Sequence, residues 1–206
     1  MSEETRRFVS RAGDKLQHAL TAFSVDPKGL RCADLGCHIG GFTDCLLQAG
    51  AASVVAVDTG YGVLAWSLRQ HAQVDVRERT NALHANPPED GVDLVVIDLG
   101  WTPQRHALPA AARWLADGGR IITLVKPHYE LDQEARKAHL VNGRLDDEKA
   151  AEMLAAVEAD LPTLNLRALG STKSPIRGGK SSRGGKPGNC EFFLLLERSP
   201  EGPHAS

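Results

Sequence analysis

Short apolar runs alternate with amphipathic stretches along most of the chain. Residues 92–97 and 120–125 are largely apolar, as expected for strands that are covered on both faces of a sheet. Residues 146–161 place acidic side chains on one helical face and alanines on another. Strands that alternate with helices predict right-handed crossovers and a mostly parallel sheet with helices on both faces.

The pattern predicts seven strands in a Rossmann-like α/β fold. We expect strands at residues 31–34, 53–57, 74–78, 92–97, 120–125, 164–169 and 191–197, and helices at 40–48, around 64–68, 103–115 and 146–161. No helical pattern separates the last two strands, so an antiparallel last strand is expected. A chain of 206 residues suits one domain. Within it we expect an N-terminal helical segment (1–28), a flexible basic loop (171–189) and a disordered tail (199–206).

Charge is segregated along the chain rather than spread evenly. Lys and Arg total 24 and Asp and Glu total 26, a net charge of −2, which argues against a uniformly basic nucleic-acid-binding protein. The stretch 166–190 nevertheless contains basic residues and no acidic ones: Arg167, Lys173, Arg177, Lys180, Arg183 and Lys186. This stretch is either a tether for phosphates or a solvated linker, and the sequence leaves both open.

The cysteines and the apolar content bear on compartment and metal binding. Cys32, Cys37, Cys45 and Cys190 form no CxxC pair, and the N-terminus has no apolar run of the signal-peptide type. No stretch approaches the roughly 20 apolar residues that span a bilayer. We therefore expect a soluble cytoplasmic protein with reduced thiols, no metal site and no membrane partner.

A glycine-rich turn follows the first predicted strand, at residues 34–41 (DLGCHIGG), and Asp58 ends the next strand. In such sheets ligands bind beyond the carboxyl ends of the strands, glycines let the backbone approach the ligand, and a carboxylate can accept hydrogen bonds from ribose hydroxyls. The alternative is an ordinary tight turn and a helix cap. The GxGxxG fingerprint of a pyrophosphate cradle is absent, which favours S-adenosylmethionine over a dinucleotide.

Eight short motifs in register give the chain a family resemblance. They are residues 10–16 (SRAGDKL), 34–44 (DLGCHIGGFTD), 56–66 (AVDTGYGVLAW), 78–81 (ERTN), 95–98 (VVID), 124–127 (LVKP), 174–178 (SPIRG) and 189–192 (NCEF). Together they resemble the hemolysin-like TlyA branch of the FtsJ-type ribosomal RNA 2′-O-methyltransferases. The resemblance implies methyl transfer from S-adenosylmethionine to a ribose 2′-hydroxyl of RNA.

The resemblance also implies roles for individual residues. The family's Lys-Asp-Lys-Glu catalytic set corresponds to Lys15, Asp98, Lys126 and Glu191. The expected cofactor contacts are Asp34, Gly36, His38, Gly40, Gly41, Phe42, Asp58, Asn81 (beside the adenine) and Asp98. The candidate RNA contacts are Arg11, Trp101 (by stacking on a base), Lys173, Arg177, Lys180, Arg183 and Lys186.

Methyl transfer to a ribose hydroxyl requires an oxygen in line with the methyl group and a route for its proton. We assign Lys126 to that oxygen, with Asp98 orienting it and Lys15 and Glu191 completing an alternating charge network. A lysine with a lowered pKa can accept the proton, whereas a charged lysine can stabilise the emerging oxyanion. The sequence leaves both roles open.

Several features depart from the family and keep other functions open. Relatives of this branch carry a small N-terminal RNA-binding module, whereas this chain starts almost at the catalytic segment. Cys37 and His38 in the turn and His128 and Tyr129 after Lys126 also depart from the expected residues. The alternatives are methylation of another RNA or of a small hydroxyl compound, a membrane-lytic protein, and a catalytically silent RNA-binding protein.

Overall fold

A seven-stranded mixed sheet organises the chain. The computed structural model describes residues 6–178 and 188–200. The strands are β1 (Arg31–Leu35), β2 (Ser53–Val57), β3 (Val74–Arg77), β4 (Val92–Ile97), β5 (Leu115–Val125), β6 (Leu166–Lys173) and β7 (Phe192–Arg198). Their order across the sheet is β3-β2-β1-β4-β5-β7-β6, and β7 runs antiparallel to both of its neighbours. The predicted strand count and the antiparallel last strand are confirmed.

Seven α-helices are assigned in the described part of the chain. They are α1 (Arg11–Ala22), α2 (Gly41–Gln48), α3 (Trp66–Arg69), α4 (Gln104–Ala112), α5 (Pro127–Glu130), α6 (Gln133–His139) and α7 (Asp147–Asp160), with a 3₁₀ turn at Leu161–Leu164. The pattern missed α5 and α6, whose few apolar positions give a weak periodicity. It also extended α4 too far, because the backbone from Leu115 onward joins the sheet.

The helix expected around residues 64–68 is reduced to the single turn of α3. The Glu78 carboxylate accepts hydrogen bonds from the backbone N–H groups of Gly62, Val63 and Leu64, at 2.9, 3.2 and 3.4 Å. These contacts hold the preceding segment as a loop. Its backbone donors are satisfied by a distant side chain rather than by helical carbonyls.

Helices cover both faces of the sheet, as expected. Successive residues of β4 point to opposite sides, because side chains alternate along a strand. Leu94 and Val96 pack in a cluster with α1 and α2. Val95 and Ile97 pack in a second cluster with α4 and α7. All four side chains are fully buried, which explains why this strand has a continuous apolar sequence.

The strand order places a ligand-binding edge at β1 and β4. β1 pairs in parallel with β2 on one side and with β4 on the other, so the chain reverses its direction of winding between them. Ligands in open α/β sheets bind at such switch points, beyond the carboxyl ends of the strands. Gly36, Asp58, Asp98 and Lys126 each follow the carboxyl end of one of four parallel strands, so all four lie at this edge.

The structure describes only part of the expected basic loop and of the expected C-terminal tail. β6 continues to Lys173, so the flexible loop expected from residue 171 starts too early. Residues 179–187 of that loop, and residues 201–206 of the expected tail, lie outside the described residues. Within the described ranges, no helix combines the length and apolar character that membrane crossing requires.

Candidate active site

A cleft of about 550 Å³ opens at the carboxyl edge of the sheet. This volume lies in the range of small-molecule sites. Most of the predicted cofactor contacts line it: Asp34, Gly36, His38, Gly41, Phe42, Asp58, Asn81 and Asp98. Gly40 does not. It has φ +101°, and a Cβ there would lie 2.7 Å from a Leu64 methyl group, so Gly40 serves the turn and its packing instead.

The glycine turn is held in place by the end of the neighbouring strand. Gly36 has φ +94°, and a Cβ there would lie 2.7 Å from the carbonyl oxygen of Asp98, so only glycine fits. The Asp58 carboxylate accepts hydrogen bonds from the backbone N–H groups of His38 (2.8 Å) and Gly60 (2.7 Å). Each carboxylate oxygen keeps a further lone pair, so Asp58 both shapes the cleft wall and can accept a ligand hydroxyl.

Asp34 is a fully buried carboxyl group at the base of the cleft. Its Oδ2 accepts hydrogen bonds from the Thr43 backbone N–H (2.9 Å) and hydroxyl (2.7 Å), whereas Oδ1 has no hydrogen-bond partner among the described residues. Burial, with smaller effects from the charges of Asp98 and Asp58, raises the pKa of Asp34 to about 7 against the opposing bonds from Thr43. The ionised form of Asp34, together with Asp58, favours a cationic ligand in the cleft.

The four predicted catalytic residues form two neighbouring ion pairs. Lys15 on α1 donates to Glu191 beside β7, with 2.5 Å between Nζ and Oε2, although 176 residues separate them. Lys126 is paired with Asp98, and its Nζ also donates to the carbonyl oxygen of Leu99 at 3.2 Å. Asp98 and Lys126 line the cleft, whereas Lys15 and Glu191 are not among its lining residues.

The neighbouring carboxylates keep the Lys126 side chain protonated. Burial lowers the pKa of Lys126, but the carboxylates of Asp98 and Glu191 outweigh burial, so this pKa lies above its ordinary value. Burial raises the pKa of Glu191, and the two lysines of the set oppose that shift. Lys126 is therefore an ammonium group at neutral pH. Of the two roles that the sequence leaves open, this geometry favours the stabilisation of an oxyanion.

A glycine of the SPIRG motif packs directly on the Glu191 carboxylate. A Cβ on Gly178 would lie 2.6 Å from the carboxyl carbon of Glu191. The two backbones are tied by hydrogen bonds between Gly178 and Asn189, at 2.9 and 3.1 Å, and between Ser174 N–H and the Glu191 carbonyl, at 2.9 Å. The SPIRG and NCEF motifs thus meet in space, where together they fix the position of Glu191.

An exposed aromatic surface adjoins Lys126. Trp101 is 74% exposed and has φ +59°, and its ring stacks on Tyr129 with centroids 4.8 Å apart. The ring of Tyr129 also lies 5.7 Å from Lys126 Nζ and 4.1 Å from the ring of His128. Burial and the charges of Lys126 and Arg136 lower the pKa of His128 to about 4, so this surface carries a neutral imidazole. The sequence indicated Trp101 but not its partner Tyr129.

The basic residues of the predicted RNA surface are only partly described. Lys173 and Arg177 both contact the carboxylate of Asp147, and Arg177 makes bonds of 2.8 and 2.5 Å. The Arg177 guanidinium lowers the pKa of Asp147 to about 2. Lys180, Arg183 and Lys186 lie outside the described residues, and Arg11 begins α1 on the surface. RNA contact by any of these residues stays a prediction. Over the described ranges, no group of three or more His, Cys, Asp or Glu side chains is placed to hold a metal.

Comparisons with known proteins return methyltransferases and hemolysin-named proteins. The profile of FtsJ-like methyltransferases matches residues 8–184. A Mycobacterium tuberculosis protein named 16S/23S rRNA (cytidine-2′-O)-methyltransferase TlyA is 39% identical over 199 residues, which are 95% of this chain and 70% of that protein. A hemolysin-named protein from Streptococcus thermophilus has a TM-score of 0.85 and 35% identity, over 96% of this chain and 70% of its own. A Listeria monocytogenes protein described as an S-adenosylmethionine-dependent methyltransferase shares the fold alone, with a TM-score of 0.63 and 14% identity over 93% of this chain and 100% of its own.

Proposed function

Because the chain belongs to the FtsJ-like methyltransferase family, we propose that it transfers a methyl group from S-adenosylmethionine to a ribose 2′-hydroxyl of ribosomal RNA. The observation that carries this proposal is the meeting of two lysine–carboxylate pairs, Lys15–Glu191 and Asp98–Lys126, beside the cleft of the glycine turn. The name of the M. tuberculosis relative supports ribosomal RNA as the substrate and the ribose oxygen as the acceptor. We propose a cytoplasmic location on the same basis, because ribosomal RNA is the proposed substrate.

The cleft suits S-adenosylmethionine in shape and in charge. Asp58 is placed to accept hydrogen bonds from ribose hydroxyls, and Gly36 lines the cleft in a turn that only glycine allows so close to the Asp98 carbonyl. Asp34, with its unpartnered buried oxygen, complements a positively charged ligand. The cofactor, when bound, supplies a methyl group on a sulfonium that a nucleophilic oxygen can attack.

Lys126 acts on the acceptor oxygen in this proposal. Its ammonium group lies at the cleft edge, held by Asp98 and by the Leu99 carbonyl. A positioned cation at the site where negative charge develops stabilises that charge more than water can, because the site does not need to reorganise. Asp98 orients the ammonium group, while the buried Lys15–Glu191 pair fixes the surrounding field. Because Lys126 is already protonated, the hydroxyl proton would pass to water as the acceptor oxygen is methylated.

The aromatic surface beside Lys126 is proposed to receive the target nucleotide. Trp101 and Tyr129 present two stacked aromatic rings beside Lys126, and such rings are surfaces on which nucleobases stack. A base stacked on Trp101 would bring its ribose near Lys126, and single-stranded or flipped bases are commonly bound in this way. Lys180, Arg183 and Lys186 lie outside the described residues and are proposed, from their charge, to contact phosphates of the RNA.

Methyl transfer to defined acceptors tests the proposal. The purified protein is incubated with methyl-labelled S-adenosylmethionine and, in separate reactions, with ribosomal subunits, free ribosomal RNA, transfer RNA and a small-molecule extract. Digestion to nucleosides then identifies the methylated atom. The proposal predicts a 2′-O-methylnucleoside from ribosomal RNA or its subunits. Label in a base or in the small-molecule extract alone would contradict it, and label only in transfer RNA would exclude the ribosomal substrate.

A further inference from the structure

Two chain segments meet beside Lys126 at the cleft, and each follows a residue of the proposed catalytic set. Residues 99–103 follow Asp98 and carry Trp101, whereas α5 follows Lys126 and carries Tyr129. The Trp101–Tyr129 stack and the hydrogen bond from Lys126 to Leu99 join the two segments at the surface. The orientation of the aromatic surface toward Lys126 therefore depends on how these segments are fixed to each other.

Glu130, at the end of α5, makes the third contact between the segments. Both of its carboxylate oxygens lie 3.1 Å from the backbone nitrogen of Gln104, which donates its hydrogen to them. Gln104 begins α4, whose N-cap residue, Pro103, supplies no side-chain acceptor. Glu130 thus caps a helix from another element, where the free N–H groups and the helix dipole favour a negative charge.

Gln104 extends this contact to the strand that carries Lys126. Its side chain is buried, and its Oε1 accepts a hydrogen bond from the Thr123 hydroxyl at 2.8 Å. Its Nε2 lies 3.5 Å from the carbonyl oxygen of Leu124. Glu130 and Thr123 lie on either side of Lys126 in the chain, and both bind Gln104, which follows the segment that carries Trp101. These hydrogen bonds form a closed circuit through Gln104.

Two features converge on this circuit. Trp101 adopts a left-handed backbone conformation that is unfavourable for a bulky residue and persists only when its surroundings fix it. Glu130 is a half-buried carboxylate whose partner, the Gln104 side chain, is buried. A strained backbone beside a half-buried acidic group that caps a helix from another element is typical of sites where position matters for function.

We propose that Glu130 is a positioning residue that holds the Trp101–Tyr129 surface in register with Lys126, and so controls productive binding of the RNA acceptor but not of the cofactor. The proposal rests on the proposed function for its choice of substrate. Glu130 does not line the cofactor cleft, so its effect must reach the reaction through Gln104 and α5.

The charge state of Glu130 changes near neutral pH. Burial raises the pKa of Glu130 to about 7, against the Gln104 N–H bond and the charges of Arg105 on α4 and Arg136 on α6. The adjoining groove also carries Asp132 and His139 from the α6 segment, and Lys149 and Asp160 from α7. Above this pH the Glu130 carboxylate is ionised and its hydrogen bond from the Gln104 N–H is stronger, because charged acceptors form stronger hydrogen bonds.

Glu130→Ala and Glu130→Gln test the role of Glu130, with Glu134→Gln on the exposed side of α6 as the matched control. Glu130→Ala is expected to lower kcat/KM for RNA roughly tenfold, since misplacement by a fraction of an ångström suffices, while the cofactor Kd stays within twofold. Glu130→Gln keeps one acceptor oxygen and the side-chain volume, so it tests the role even if the alanine variant folds poorly. It is expected to match the wild type below pH 7 and to fall below it by roughly fivefold at pH 8, where the wild type gains a charged acceptor.

A fluorescence measurement separates this proposal from the proposed function. In a Trp66→Phe background, the remaining tryptophans are the exposed Trp101 and the fully buried Trp114. Loss of Glu130 should free Trp101 from Tyr129 and increase its quenching by acrylamide, and the wild-type signal should titrate near pH 7 while that of Glu130→Gln does not. Identical quenching and identical RNA kinetics in Glu130→Ala and Glu134→Gln would overturn the proposal. If no RNA is methylated at all, the quenching result still decides the role of Glu130.

Discussion

Replacing Gly178 by alanine tests whether the buried Glu191 carboxylate must hold its position for catalysis. The added Cβ would lie 2.6 Å from the Glu191 carboxyl carbon. Carbon atoms in ordinary contact are about 3.5–4.0 Å apart, so the carboxyl group must move by roughly 1 Å. The Oε2 atom, which accepts the hydrogen bond from Lys15 at 2.5 Å, would then leave its present position.

A displacement of this size is expected to lower kcat about 100-fold, because catalytic groups tolerate little misplacement. The cofactor Kd, measured by calorimetry, should stay within twofold, since neither Gly178 nor Glu191 lines the cleft. Gly170→Ala is the matched control, because a Cβ there meets only Phe23 carbons at 3.5 Å, an ordinary contact. Methyl transfer to RNA is measured for both folded variants. If Gly178→Ala keeps a kcat within threefold of Gly170→Ala, the position of Glu191 does not matter and the four-residue account is wrong.

Three further predictions concern the acceptor, the cofactor and the RNA. Lys126→Ala should lower methyl transfer by at least about 100-fold, as the removal of other oxyanion donors does, while calorimetry finds cofactor binding retained; retained turnover would remove Lys126 from the mechanism. Asp34 has a pKa of about 7 in the free protein, so it should lose roughly half a proton when the cationic cofactor binds at pH 7. The affinity for the cofactor should therefore weaken as the pH falls. Calorimetry in buffers of different ionisation enthalpy should show proton release on binding that the Asp34→Asn variant lacks. Replacing Lys180, Arg183 and Lys186 by alanine should reduce the salt dependence of RNA binding, by about 0.7 in log–log slope for each phosphate that the variant no longer neutralises; an unchanged slope would leave these residues as a linker.

The strands could be predicted because their burial is encoded locally. β4 is buried on both faces, so all of its residues except Asp93 are apolar. Asp93 lies near the start of β4 and pairs with Arg31, the first residue of β1. The antiparallel last pair followed from the lack of a helical pattern between residues 169 and 191. The boundaries that failed depend on distant groups. The Glu78 carboxylate, which holds the segment before α3 as a loop, follows the end of β3. The sequence around residue 64 therefore gives no indication that the helix is shortened.

The site could be predicted as a set of residues but not as a set of contacts. The motifs place Asp98 and Lys126 at neighbouring strand ends, and the structure pairs them. Their resemblance to a methyltransferase family is confirmed by the family profile and by the M. tuberculosis relative. The basic character of Lys173 and Arg177 indicates phosphate contact, but Asp147, some 30 residues away in the chain, binds both, and only the fold brings it to them.

The contact between Glu130 and Gln104 also could not be predicted from the sequence. The spacing of Glu130 from Lys126, four residues along a short helix, was the only signal in the sequence, and such spacing is common in solvated helices. Only the packing of α5 against the start of α4 gives Glu130 its partner in Gln104. Side chains that act through another residue are difficult to predict from sequence, since their chemistry depends on tertiary contacts rather than on a motif.

The most direct measurement of the central claim is a map of ribose methylation in the ribosomal RNA of the source cells. RNA from cells that contain the protein, from cells that lack it and from cells that carry Lys126→Ala is compared by alkaline cleavage, which 2′-O-methyl groups block. The two paired lysines and carboxylates predict at least one 2′-O-methyl mark that is present only with the wild-type protein. Identical maps in all three would show that this site does not methylate ribosomal RNA.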